Sequence, residues 1–186
     1  MQFNTSPATQ RILEEVKALQ AVLRATDEDR PLDEAVAKQV RDVFEAPAAN
    51  NQEGWLTRVA QAHLLGEPFE PSRSLLIEDE QTEARLFIYL SRAWSCWAAG
   101  ENGAVAALLK AADADEDAHV PGGHLHTMAL EAWQLAIEAL LAGNPKEARR
   151  FYRRAMELGS QFGTWTSTAV QWTYGASFKH GISREA

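Results

Sequence analysis

The 186-residue chain predicts an all-α protein of seven to eight helices. Three observations carry that reading. Apolar residues recur at three- and four-residue intervals through most of the chain, and no long Val/Ile/Thr alternation argues for a sheet. Prolines and turn-forming glycines fall mostly between those periodic stretches, where helices begin and end. The composition, 46% hydrophobic and 24% charged, is that of a globular protein.

Taken in order, Ser6-Pro7 supplies an N-cap and a proline at the first helical position. Ile12, Leu13, Val16, Leu19, Val22 and Leu23 follow at helical spacing, until the polar run Thr26 to Arg30 stops the helix. Pro31 is expected to open a second helix, with Leu32, Val36, Val40, Val43 and Phe44 on one face and Pro47 at its end. Asn50 and Glu53 form a capping-box pattern ahead of Trp55, Leu56, Val59, Ala60 and Leu64, and that helix stops at Gly66-Glu67-Pro68. The proline-punctuated EPFEPSRS then marks a subdomain joint.

A long helix is expected from Ile77 to Ala99, followed by the turn Gly100-Glu101-Asn102-Gly103 and a short Ala/Leu-rich helix ending near Ala112. After the loop DADEDAHVPGGHLH, a helix from His126 to Ala142 ends at Gly143, and Asn144-Pro145 start another that finishes at Leu158-Gly159. Last comes SQFGTWTSTAVQWTYGASF, residues 160–178, which contains no charge and reads as a helix from about Thr164. Three segments result: 1–70, a three-helix segment; 71–178, helical hairpins with the aromatic helix; and 179–186, a tail. All lie within one compact domain, because a chain of this length buries enough surface to need no disulfide or metal for stability.

The formal net charge of -8 argues against general electrostatic binding to nucleic acid or anionic membrane. No run of consecutive apolar residues is long enough to span a bilayer. MQFNTSPATQ lacks the basic and apolar regions of a secretory signal, and the lone Cys96 cannot build a disulfide framework. The expectation is a cytoplasmic protein.

The segment AWQLAIEALLAGNPKEARRFYRRAMELG, Ala132 to Gly159, resembles the tetratricopeptide repeat, a helix-turn-helix unit of about 34 residues. Aligned on Gly143, Leu135 and Ala136 fall where that family has Leu and a small residue, and Ala148, Tyr152 and Ala155 fall on its small, aromatic and small positions. Ala139 replaces an aromatic and Ser160 the terminal proline. Tyr89 to Asp113, turning at Gly100, fits less closely: Ala93 and Ala112 match, while Val105 stands where Ala is usual. The resemblance implies tetratricopeptide-like stacking in the C-terminal half and a protein–protein interaction module, such as an adaptor, assembly factor or chaperone-like binder.

Four groups of residues could carry chemistry. On a helical wheel, Trp165, Ala169, Trp172 and Ala176 share one side of the last helix, and Val170, Tyr174 and Phe178 share the opposite side. One of these faces is expected to meet its own chain and the other a protein partner, a second copy or the folded-back N-terminal helices. Trp165, Val170, Trp172, Tyr174 and Phe178 are therefore the expected partner contacts, since Trp and Tyr dominate interface hot spots. Arg149, Arg150, Arg153 and Arg154 line one face of the preceding helix and would select acidic partners, or meet acidic residues of this chain.

The loop 113–126 offers Asp115, Asp117, His119, His124 and His126. Its Asp-x-Asp-x-Asp spacing lacks the glycine and closing glutamate of a calcium loop, so no metal or other cofactor is expected. A second reading, a metal- or small-ligand-binding helical protein, would use this loop. A third, an enzyme without recognisable motifs, would centre on Cys96 or the histidines. The absence of a phosphate loop, HExxH, GxSxG or paired CxxC favours a non-enzyme.

Overall fold

The computed structural model describes residues 6–45, 52–67, 82–119, 125–159 and 165–178. Among them it contains eight α-helices, one 3-10 turn and no strand. The helices are α1 (Pro7–Asp27), α2 (Glu34–Glu45), α3 (Gln52–Leu64), α4 (Thr82–Ala98), α5 (Asn102–Ala114), α6 (Leu125–Leu141), α7 (Pro145–Gly159) and α8 (Trp165–Ser177); the 3-10 turn is Glu116–Ala118. The all-α architecture and its helix number thus follow the periodicity.

Helix ends form where the local chemistry allows them. The Ser6 hydroxyl accepts from the Thr9 N–H at 3.2 Å, satisfying one of the orphan donors at the start of α1. α4 and α6 each end on a left-handed glycine, Gly100 at φ +79 and Gly143 at φ +68. At both ends a backbone N–H reaches back: Glu101 N to Cys96 O at 2.8 Å, and Asn144 N to Ala139 O at 2.9 Å. α2 begins three residues later than Pro31 had suggested, with Ala37 N on Asp33 O at 2.8 Å. Asp29, in the left-handed region at φ 52, turns the chain sharply after α1, so Leu32 plugs the core ahead of the helix rather than from within it.

α4 pairs with α5, and α6 with α7, as two hairpins that meet through α4 and α6. α8 lies among the others: it packs most extensively on α3, then on α7 and α1, and touches α4 and α6. The core around it holds Trp94, Trp133, Trp172, Tyr152, Tyr174 and Phe87, all fully buried. Each such side chain withdraws about 150–250 Å² from water, worth roughly 4–6 kcal/mol before entropy costs.

Charge-free polar residues suit α8 to that position. The Thr173 hydroxyl donates within its own helix to Ala169 O at 2.9 Å, and the Ser177 hydroxyl to Thr173 O at 2.6 Å, so neither is buried unsatisfied. Ser177 Oγ also accepts from Trp94 Nε1 at 2.9 Å and bonds the Tyr152 hydroxyl at 3.1 Å. One serine therefore ties α4, α7 and α8 together.

Candidate functional site

The structure corrects the expected partner contacts on α8. Val170, Trp172 and Tyr174 are at most 1% exposed, so they are core side chains and offer no surface to a partner. The reason lies in helix number: α3, α7 and α1 approach α8 from different sides, and the folded-back N-terminal helices cover the face that the wheel left open. The Tyr174 hydroxyl donates to Asp27 Oδ1 at 2.6 Å. Burial first, and this bond second, hold its phenol above the ordinary tyrosine pKa. Phe178 is half-buried against Tyr152 and Tyr174, at ring separations of 6.3 and 5.4 Å. The Trp165 side chain lies outside the described residues.

The arginine stripe of α7 has its acidic counterpart inside the molecule. Arg149 donates to Thr26 O at 2.8 Å and to Asp29 Oδ1 at 3.2 Å, and its guanidinium lies 4.0 Å from the Phe178 ring centre. It therefore caps the C-terminal end of α1, where the helix dipole and orphan carbonyls favour a cation. Arg153 reaches Asp27 Oδ1 at 3.4 Å. The adjacent Tyr174 phenol, then Asp27, push its pKa further up. Arg150 and Arg154 pair with Glu147 and Glu157 of their own helix, at 2.7 and 3.5 Å. Arg149 and Arg153 thus join the N-terminal helices to the C-terminal hairpin.

In the 113–126 loop, Asp115 accepts from Arg85 through two guanidinium nitrogens and from the Tyr89 hydroxyl at 3.1 Å. Arg85 first, and Tyr89 after it, hold the Asp115 carboxyl below its ordinary pKa although burial opposes them. His119 Nε2 lies 3.0 Å from Ala112 O, Asp117 is exposed, and Asp113 accepts from Gln134 at 2.7 Å. These contacts close the end of α5 onto α4 and α6. His124 and the His126 side chain lie outside the described residues, and among those described no group of three His, Cys, Asp or Glu could hold a metal ion.

Cys96 is half-buried in α4, and burial, followed by the nearby Glu101, pushes its thiol pKa up. That environment suppresses the thiolate a nucleophile needs. His63 packs nearly perpendicular to Trp94 and tilted against Trp97, with ring centres at 5.8 and 6.2 Å.

An exposed apolar surface occurs instead at the start of the chain. From Ser6 to Lys17 every described side chain is exposed except the half-buried Glu15, whereas Ala18, Leu19, Val22, Ala25 and Thr26 are buried. Ile12, Leu13 and Val16 are 61%, 48% and 43% exposed. Ile12 and Val16 continue the line of Leu19 and Leu23 at alternating four- and three-residue steps, so a stripe that enters the core lower down emerges on the surface. The sequence showed the stripe; nothing in it showed where along α1 the body stops. A second pair, Met128 and Leu135 at 36% and 41% exposure, is divided by the exposed Glu131.

No protein-family model, no curated protein and no solved structure matches the chain. Among the described residues no helix is long and apolar enough to cross a membrane.

Proposed function

We propose that this chain is a non-enzymatic protein-interaction module, an adaptor or assembly factor, whose docking element is the N-terminal half of α1. One observation carries the proposal: Ile12, Leu13 and Val16 stand exposed on a helix whose other half is locked into the core. A three-turn helix is marginal in water without a packed face, and an apolar stripe on one is suited to helix-against-helix recognition. The C-terminal end of α1, held by Arg149, Arg153 and Tyr174, keeps that element from swinging freely. Less ordering entropy is then lost when a partner docks. The tetratricopeptide resemblance points to the same class of function. The raised thiol pKa of Cys96 and the engaged Asp115 weigh against the enzyme and metal readings.

Full-length protein carrying a photo-crosslinking residue at Leu13 tests this in native extract. Adducts are expected at Leu13, are expected to disappear in an Ile12→Ser/Val16→Ser background, and are not expected from the exposed Lys38 of α2. Equal yields at both positions would overturn the assignment.

A further inference from the structure

We draw no further inference here: the strongest candidate, the exposed Ile12, Leu13 and Val16 stripe on the N-terminal half of α1, carries nothing beyond the docking element already proposed, because nothing in the structure shows what covers it.

Discussion

Gly175 of α8 is where the docking of α1 can be measured most sharply. A Cβ built on Gly175 would lie 2.5 Å from Val22 Cγ1 and 3.5 Å from Thr26 Oγ1. Val22 is fully buried, and a β-branched side chain in a helix has essentially one rotamer available, so it cannot swing aside. Gly175→Ala therefore combines two opposing effects. Replacing an interior helical glycine with alanine gains about 1 kcal/mol. Forcing a methyl into a packed contact costs about 1–3 kcal/mol. The expected net change is a loss of about 0–2 kcal/mol. Val22→Ala alone costs about 2 kcal/mol through lost burial and the cavity left behind. In the Val22→Ala chain, however, the new methyl enters vacated space, and Gly175→Ala should stabilise by about 1 kcal/mol. The coupling between the two positions is thus about 1–3 kcal/mol, with a change of sign. Urea unfolding followed by tryptophan fluorescence, with equal slopes across the four chains, measures it. Equal stabilisation by Gly175→Ala in both backgrounds would refute the close approach of α1 to α8, and with it the account of how the aromatic helix is covered.

Three further perturbations test other joints. Arg149→Met keeps the apolar stem but removes the hydrogen bond to Thr26 O and the contact over Phe178. A loss of about 1.5–3 kcal/mol is expected in the same unfolding assay, against no more than about 0.5 kcal/mol for the exposed Arg154→Met. Asp115 has a depressed folded pKa, so its contribution is present above the unfolded carboxylate pKa and is lost as pH falls through the folded value. Asp115→Asn should accordingly flatten the acid side of the stability–pH profile, and a profile parallel to the parent's would exclude the Arg85 pairing as its cause. Tyr152→Phe removes one of the two donors to Ser177 Oγ while Trp94 Nε1 still bonds it, so a modest loss of about 1 kcal/mol is expected by chemical denaturation. Buried Tyr152 and Tyr174 both have raised pKa values; their contribution is complete below the unfolded tyrosine pKa and falls away as pH rises through the folded values. Tyr152→Phe should therefore also soften the alkaline decline, as a thermal-midpoint series in pH would show.

Much of the fold was legible because helices are written locally. Ser6-Pro7, Gly100, Gly143 and Asn144-Pro145 mark ends through backbone chemistry that depends only on near neighbours, and the helices terminate within a residue or two of them. Pro31 misled by three residues because the left-handed Asp29 and the burial of Leu32 decided where α2 could begin. Small residues at Ala136, Ala148 and Ala155 foretold close helix contacts, and all three are buried. Leu135, aligned to an apolar repeat position, is 41% exposed, because its side of α6 receives too little cover among the described elements.

The site was far less legible, for a physical reason. Periodicity shows that a helix has an apolar face; it does not say what lies against that face. The chain by itself determined that residues 160–178 would be helical, neutral and apolar on two sides, and that Arg149 and Arg153 would share one face of the preceding helix. Tertiary structure alone decided that α1 and α3 would fold back onto α8, turning Val170, Trp172 and Tyr174 into core and giving those arginines Asp27, Asp29 and Thr26 O to hold. It decided equally that α1 extends beyond the body ahead of Ala18, leaving Ile12, Leu13 and Val16 in water. Burial is a property of where distant segments meet, and that meeting is encoded in the whole chain rather than in any stretch of it.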